Sequence, residues 1–184
     1  EQPTGYVLYW IANEVFHIKE MIYLNQEARI GLWNFIGAHY SMIEHVKGNQ
    51  YQDEPISFLL EDGDIDQTIK PYFMARIVDV REFLLAYPFE TDGQAFHIEL
   101  TDPLAEWNNG TFGVYWDEQG KVQVTSRPVG ERIQCDIQTL TTMLMSYRRP
   151  SYLAKIERLQ ANRQALKNLE NIIPMDQPYF SDYF

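Results

Sequence analysis

The first half of the chain alternates between strand-like and helix-like patterns. Two runs rich in β-branched and aromatic residues, GYVLYWIA and VFHIKEMIYL, flank Asn13 and predict a β-hairpin. The stretch NQEARIGLWNFIGAHYSM then predicts a helix, because Asn25 is a good N-cap and Glu27 suits the positive end of the helix dipole. The residues that share one face of this helix are Ala28, Leu32, Phe35, Ile36 and His39.

A polar connection over residues 48–54 leads to a second apolar stretch, EPISFLLED. The run PYFMARIV after it predicts a strand that closes this half of the chain. The order strand, strand, helix, strand is typical of an α+β or α/β unit. We expect the beginning of this unit to be missing, because the sequence opens with EQPTGYVLYW, directly on a strand and without an initiator Met.

The second half begins at Asp79. Asp79 and Glu82 have the spacing of a capping box, so they predict a helix N-terminus, with Val80, Phe83, Leu84 and Tyr87 on its inner face. After Gly93 apolar residues recur at every second position, which predicts a series of β-strands over residues 96–100, 112–116 and 122–124. The stretch ERIQC adds another short strand.

Two helices are predicted at the end of the chain. Asp136 caps the first, with Ile137, Leu140, Leu144 and Tyr147 expected to face inward. The second is expected from about Ser151 to Leu169, with Leu153, Ile156, Leu159, Leu166 and Leu169 inward. A helix, an antiparallel sheet and two further helices make an α+β domain, so the fold class of the whole chain is predicted to be α+β.

The charge of the chain limits its partners. It has 26 acidic and 15 basic residues and a net charge of −11. Phosphate backbones would be repelled, so we expect no nucleic-acid partner. A negative field would attract cationic small molecules, and the alternative is that the acidic surface only keeps the protein soluble. No apolar run is long enough to cross a bilayer, so we expect no membrane partner. The single Cys135 is compatible with a reducing cytoplasm, where we expect the protein to be located.

Common catalytic motifs do not occur in this sequence. It has no phosphate-binding P-loop, no G-x-G-x-x-G and no H-E-x-x-H. The four histidines do not share one predicted face; they are His17, His39, His45 and His97. The single Cys135 is expected to be a buried small hydrophobe. We therefore predict no metal site. RPVGER (residues 127–132) is close to an acetyl-CoA-binding loop, but it joins two strands and is interpreted as a turn.

Several stretches, taken in order, resemble one family. GYVLYW, ARIGLWNFIGAHYSMIEHV, PYFMARIVDVREFL, FHIELTDPLAEWNNGTFGVYW and CDIQTLTTMLMSYRRP are similar to the C-terminal portion of bacterial Eis-like N-acetyltransferases of the GNAT superfamily, named for enhanced intracellular survival. The most specific pieces are the ARIVDV step and the LTDP…NNG segment.

This resemblance implies a domain order and a cofactor. Residues 1–78 would be the later part of a degenerate GNAT-like domain, and residues 79–184 a domain similar to sterol carrier protein. Acetyl-CoA would be the co-substrate, bound mainly by an N-terminal GNAT domain that we expect to be missing here, so the chain alone would be inactive. The resemblance also implies a homo-oligomer.

The family also accounts for the sequence YFSDYF at residues 179–184. In Eis-like enzymes the carboxylate of the last residue acts as the base that deprotonates an acceptor amine, so the resemblance assigns this catalytic role to Phe184. Asp182, Tyr183, Arg76 and Asp79 would contact the substrate, a polyamine or an aminoglycoside. The alternatives are that the tail only packs its rings on the domain, and that Asp79 is only an N-cap.

Two further hypotheses follow for the second half of the chain. It could be a lipid- or sterol-binding module, or an oligomerisation domain without catalysis. Fold alone does not decide function, so each of these readings needs its own test.

Overall fold

The structure is a computed structural model that describes residues 2–50, 56–60, 65–69, 73–90, 93–178 and 180. The chain divides into two compact units, Glu1–Thr68 and Ile69–Phe184. We refer to them as unit 1 and unit 2. No helix among the described residues is long and apolar enough to span a bilayer.

Unit 1 is a small sheet with one long helix. Its elements in chain order are β1 (Gly5–Ala12), β2 (Val15–Tyr23), α1 (Gln26–Gly37), β3 (His45–Gly48) and α2 (Ile56–Leu59). The sheet order is β1-β2-β3, with an antiparallel β1–β2 pair and a parallel β2–β3 pair. Asn13 and Glu14 form the hairpin turn with φ of 52° and 60°, as the strongly twisted two-residue turn requires. The predicted hairpin is therefore confirmed.

The core of unit 1 lies where α1 crosses β1 and β2. Phe16, Ile18 and Ile36 are buried there. The ring of Tyr9 stacks on Phe16 with centroids 4.5 Å apart, and Phe35 meets Tyr9 edge-on at 5.4 Å. Aromatic pairs in these geometries add about 0.5–1.5 kcal/mol beyond burial. The Asn25 side chain accepts a hydrogen bond from the Ala28 amide at 2.8 Å, so the predicted N-cap is also confirmed.

Two predictions for this half are wrong, and one strand was missed. Helix α1 ends at Gly37 rather than near Met42, because the next amides bond three residues back, as in His39 N to Ile36 O. The strand β3 (His45–Gly48) was not predicted, since all four of its residues are exposed. The run PYFMARIV is not a strand over its described residues 73–78, where Ile77 is buried beneath unit 2 helices instead.

Unit 2 is a five-stranded sheet with helices. Its helices are α3 (Val80–Ala86), α4 (Ile137–Leu144), α5 (Pro150–Lys155) and α6 (Arg163–Ile172), with a 3-10 turn at Glu106–Asn108. Its strands are β4 (Phe96–Thr101), β5 (Gly110–Trp116), β6 (Val122–Thr125), β7 (Glu131–Asp136) and β8 (Gln160–Ala161), in the order β6-β5-β4-β7-β8. The fold class is confirmed, although the sheet is mixed rather than wholly antiparallel, because β4 and β7 are parallel.

Alternate residues of these strands build a packed core against the helices. Ile98 and Ile133 from the sheet and Leu140 and Leu169 from the helices are each no more than 1% exposed. Val80 and Leu84 are fully buried on α3, as the capping-box helix predicted. Burying a side chain of this size contributes about 1.5–3 kcal/mol, so this interior supplies most of the stability of unit 2.

The loop between β6 and β7 contains the RPVGER sequence. Gly130 has φ of 54°, and a Cβ at this position would lie 1.7 Å from the carbonyl oxygen of Ala95. The glycine is therefore required for close backbone approach to the start of β4. The interpretation of RPVGER as a turn between strands is confirmed.

The predicted long final helix is wrong. The chain forms α5, then β8, which pairs with β7, and then α6. Glu157 adopts a left-handed φ of 62° after α5, and Asn162 caps α6 by accepting a hydrogen bond from the Ala165 amide. As a result Ile156 is 44% exposed, and Tyr147 after α4 is 52% exposed, although both were predicted to face the core.

Candidate functional site

The two stretches that carry the family resemblance most specifically, ARIVDV and LTDP…NNG, meet in unit 2. The Arg76 guanidinium places Nη2 2.7 Å from both carboxylate oxygens of Asp102. The Asp102 side chain is fully buried, whereas that of Arg76 is 36% exposed. The pair therefore joins the segment before α3 to the loop after β4, and its cation reaches the surface.

The buried carboxylate of Asp102 accepts hydrogen bonds from several protein groups. Burial alone would raise its pKa, but hydrogen bonds from Asn108 Nδ2 (2.9 Å), Arg76 and the amides of Leu104 and Ala105 (3.0 and 3.1 Å) outweigh burial. These donors hold the pKa of Asp102 well below its usual range. The Asp102 carboxylate therefore stays ionised well below the pH at which an ordinary aspartate is protonated, which fits a structural anchor rather than a proton carrier.

Asn108 and Trp107 complete the junction. The Asn108 side chain accepts from the Val80 amide at 3.1 Å and donates to the Val78 carbonyl at 3.0 Å. The Trp107 indole nitrogen donates to the same carbonyl at 2.9 Å, although its ring is 66% exposed. The backbone on both sides of Asp79 is consequently held by side chains of one loop.

Asp79 itself is the N-cap of α3. Its carboxylate accepts a hydrogen bond from the Glu82 amide at 3.0 Å. The N-cap interpretation is confirmed, and the substrate-binding role predicted for Asp79 and Arg76 stays a prediction. The remaining predicted residues, Asp182, Tyr183 and Phe184, lie outside the described residues.

The stretch that follows α6 is tied to the start of α5 by Arg149. Its Nε donates to the Glu170 carboxylate at 2.9 Å, and Nη2 donates to the Glu170 carbonyl at 2.7 Å. Its Nη1 donates to the carbonyls of Ile173 and Pro174, both at 3.0 Å. In return, the other Glu170 carboxylate oxygen accepts from the Ser151 amide at 2.8 Å in the first turn of α5. One ion pair thus satisfies a helix C-terminus and a helix N-terminus together.

Phe180, the described residue of the aromatic tail, has a contact in unit 2. The Phe180 ring meets the ring of Phe73 edge-on, with centroids 5.9 Å apart and an interplanar angle of 63°. Phe73 is three residues before Arg76, so Phe180 lies close to the segment that Asp102 holds. Sequence reasoning did not identify Phe73, Asp102 or Arg149, since each has a partner far away in the chain: Phe180, Arg76 and Glu170, respectively.

The N-terminus of α1 is where a strand-helix step in this sheet would bind the pyrophosphate of acetyl-CoA. The Asn25 side chain already occupies the Ala28 amide there, Glu27 places a negative charge in the first turn, and no glycine lies within residues 23–29. These residues do not fit a pyrophosphate group, because Asn25 already caps the helix, the charge of Glu27 would repel phosphate, and no glycine lets the backbone approach closely.

Neither of two cavities lined by described residues includes Arg76, Asp102 or Arg149. One, of about 400 Å³, lies between α1 and α2 and is lined by Ile30, Trp33, Leu59 and neighbouring residues. The other, of about 270 Å³, lies beside α6 and is lined largely by polar side chains, among them Gln94, Gln164, Lys167 and Asn171. The second is too polar for a lipid chain.

Comparison with known proteins identifies both parts of the chain. Residues 80–181 match the family described as "Sterol carrier protein domain", and residues 1–77 match "Acetyltransferase (GNAT) domain". Residues 80–181 belong to the sterol carrier protein domain family. No curated protein matches the sequence.

Several solved structures are similar to nearly the whole of this chain. A conserved protein of unknown function from Enterococcus faecalis V583, described as a probable N-acyltransferase, is 33% identical with a TM-score of 0.89, and the alignment covers 98% of this chain and 46% of that one. A GCN5-related N-acetyltransferase from Anabaena variabilis is 28% identical, with a TM-score of 0.80 over 100% of this chain and 48% of that one. Eis1 from Mycobacterium abscessus, at 20% identity and a TM-score of 0.76 over 98% and 48% of the two chains, shows the shared fold alone.

These comparisons correct one expectation from the sequence. The GNAT domain was expected to be missing, and residues 1–77 match one, so the expectation that the chain is inactive by itself is not supported. The chain spans about half the length of the solved structures that it matches. The boundary at Asp79 stays a prediction, since the compact units divide after Thr68 and the family matches divide between residues 77 and 80.

Cys135 lies on β7 inside the sterol carrier protein domain. Burial, followed by the nearby charge of Asp136, raises the pKa of its thiol from an ordinary 9.0 to about 12. Burial also raises the pKa of Tyr87, whose hydroxyl donates to the Leu144 carbonyl at 2.8 Å, from 10.0 to about 12. A thiol that stays protonated is a poor nucleophile, so the expectation of a buried small hydrophobe is confirmed.

These two raised pKa values predict a loss of stability in alkali. Each group keeps its proton in the folded state and loses it more readily when unfolded, so its contribution is complete below about pH 9 and is lost as the pH rises toward about 12. We expect Cys135→Val to remove roughly 2 kcal/mol of the decrease in unfolding free energy that the native protein shows by about pH 11. Urea unfolding across this pH range measures the free energy of unfolding of both proteins. If that free energy decreases equally with pH in the native protein and in Cys135→Val, the raised pKa is not that of Cys135.

Proposed function

We propose that the whole protein is a GNAT-type N-acetyltransferase that transfers the acetyl group of acetyl-CoA to a primary amine of a cationic small molecule. The observation that carries the proposal is the match of residues 1–77 to an acetyltransferase (GNAT) domain. The 33% identity to a protein described as a probable N-acyltransferase supports it. The net charge of −11 favours a polyamine or an aminoglycoside as the acceptor, since a negative field concentrates cations.

The catalytic base in this proposal is the α-carboxylate of Phe184. It takes a proton from the acceptor ammonium and leaves the neutral amine as the nucleophile. An α-carboxyl group has an ordinary pKa of about 3.3–3.7, so it needs a dry or anionic setting to hold a proton near neutral pH. The rings of the tail and the carboxylate of Asp182 would supply that setting, and Asp182, Tyr183, Arg76 and Asp79 would contact the acceptor.

The test is acetyl transfer by the whole protein. Release of the CoA thiol is measured with a polyamine, an aminoglycoside and an uncharged primary amine, each at several salt concentrations. We expect turnover with the cations, and KM for them that rises with salt because the attraction is screened. An absence of thiol release with every amine would overturn the proposal. Equal turnover with the uncharged amine would contradict the preference for a cationic acceptor.

A second candidate function is lipid binding by the sterol carrier protein domain, which the family description of residues 80–181 favours. The interior argues against it, because Ile98, Ile133, Leu140 and Leu169 occupy the space between sheet and helices. Displacement of a fluorescent fatty acid from the protein would establish this function if it saturates at submicromolar concentration. Assembly into homo-oligomers, or an oligomerisation role without catalysis, is a further proposal that light scattering tests.

A further inference from the structure

The cavity beside α6 is lined mainly by carboxamide side chains, and we call it the amide cleft. Gln164, Asn168 and Asn171 are four and three residues apart, so they lie on one face of α6. Gln94, just before β4, contributes a fourth carboxamide, and Lys167 is the one charged residue among the described residues that line the cleft. The volume of about 270 Å³ is just below the usual range of about 300–1,000 Å³ for ligand pockets, so the cleft fits a small molecule.

Hydrogen bonds to the backbone fix the walls of the amide cleft. Asn168 Oδ1 accepts from the Gln94 amide at 2.9 Å, and Asn168 Nδ2 donates to the Gln94 carbonyl at 2.7 Å. Asn168 is only 8% exposed, so both bonds are largely shielded from water. At the floor, a Cβ on Gly93 would lie 2.7 Å from Cγ2 of the fully buried Ile172. The segment before β4 is therefore held directly against α6, and the cleft is formed without a ligand.

A third hydrogen bond leaves one donor and one acceptor available in the amide cleft. Gln164 Nε2 donates to Gln94 Oε1 at 2.8 Å. No hydrogen bond between described residues uses Gln94 Nε2 or Gln164 Oε1, and none uses the side chains of Lys167 and Asn171. A ligand in the cleft would consequently meet donors and acceptors together.

We infer that the amide cleft binds a small neutral polyhydroxylated molecule of the size of one sugar ring. Each hydroxyl both donates and accepts, so a set of hydroxyls can use the amide N–H groups and the amide oxygens at the same time. A phosphate or carboxylate only accepts, and it would leave the oxygens of Gln164 and Asn171 without a donor. A polyamine only donates, and the ammonium of Lys167 would repel it. The site goes beyond the acetyl transfer proposed above and does not depend on it.

The first test is binding of named sugars to the protein, measured by saturation-transfer NMR. The neutral probes are glucose, galactose and mannose, and the charged analogues are glucosamine and glucose 6-phosphate. We expect at least one neutral hexose to bind with a Kd of about 1 mM, since a ligand of so few atoms gains little affinity from each. Neither charged analogue should bind more tightly than that hexose. An absence of binding by all three neutral hexoses, or tighter binding of a charged analogue, would overturn the inference.

The second test places the binding in the amide cleft. Gln164→Leu removes the bond to Gln94 and the available acceptor, so the Kd for the hexose should rise about five- to tenfold. The matched control is Gln138→Leu, an exposed glutamine on α4 outside the cleft, which should keep the native Kd. Should Gln164→Leu fail to fold, as judged by its Tm, Asn171→Leu provides the same comparison. Equal Kd values in the cleft variant and in Gln138→Leu would show that the hexose does not bind in the amide cleft.

Discussion

Two lysines appended after Phe184 should lower kcat about 100- to 10,000-fold, the range over which a positioned general base contributes. The extension converts the α-carboxylate of Phe184 into an amide, which cannot accept a proton, and moves the free carboxylate beyond the aromatic rings. KM for acetyl-CoA should be unchanged, since the loss affects proton transfer and not co-substrate binding. Steady-state kinetics with the best cationic acceptor measure both quantities.

The same preparation provides its own control. Carboxypeptidase B removes C-terminal lysines, so treatment restores Phe184 as the last residue, and mass spectrometry verifies the product. We expect turnover to return with the loss of the second lysine. Native turnover in the extended protein, or no recovery after trimming, would show that the terminal carboxylate is not the base.

Replacing Arg149 with Met should destabilise the protein by about 2–4 kcal/mol, the cost of breaking a largely buried ion pair after allowance for its partial exposure. The side chains of Arg149 and Glu170 are 23% and 28% exposed, and the substitution leaves the carbonyls of Glu170, Ile173 and Pro174 without this donor. Methionine keeps most of the aliphatic length, so the change reports on the lost charge and hydrogen bonds. Urea unfolding gives the free energy directly.

The neighbouring Arg148 offers a matched control. Its guanidinium lies 4.2 Å from the ring centroid of the exposed Tyr147 and donates only to the Tyr147 carbonyl among the described hydrogen bonds. Arg148→Met should cost less than about 1 kcal/mol. If both variants are equally stable, Arg149 does not connect the two helix ends as described.

The pH dependence of the Arg149 pair has a definite sign. Burial alone would raise the pKa of Glu170, but the hydrogen bonds from Ser151 and Arg149 hold it below its ordinary value of 4.5. Its stabilising contribution is therefore complete above about pH 4.5 and is lost as the pH falls below that value. Arg149→Met should accordingly be less sensitive to acid than the native protein in the same range.

Local signals in the sequence were sufficient for most elements. Asn25, Asp79 and Asp136 each cap the helix that they predicted, because a cap is a contact between residues three apart. The short strand β3 had no such signal, since HVKG is exposed throughout and is defined by its pairing with β2. The split of the last helix could have been found from Asn162, which has the identity and position of an N-cap before the periodic stretch RQALKNLEN.

The candidate site was harder to predict, because its contacts are distant in sequence. Arg76 and Asp102 are 26 residues apart, and Arg149 and Glu170 are 21 apart. Nothing in the local sequence distinguishes these residues from other charged residues, because the fold alone brings the partners together. The motifs ARIVDV and LTDP…NNG marked the right places, but the residue that organises their junction, the buried Asp102, was not among those predicted to act.

The shared ion pair of Arg149 and Glu170 also affects how this part of the molecule moves. The pair bonds a backbone carbonyl at the end of α6 and a backbone amide in the first turn of α5. Fraying of either helix end therefore breaks contacts at the other. The stretch leading to the aromatic tail therefore opens only with the helix pair, as one cooperative block. The position of residues 173–177 is therefore set by the packing of two helices rather than by the few side chains of that stretch alone.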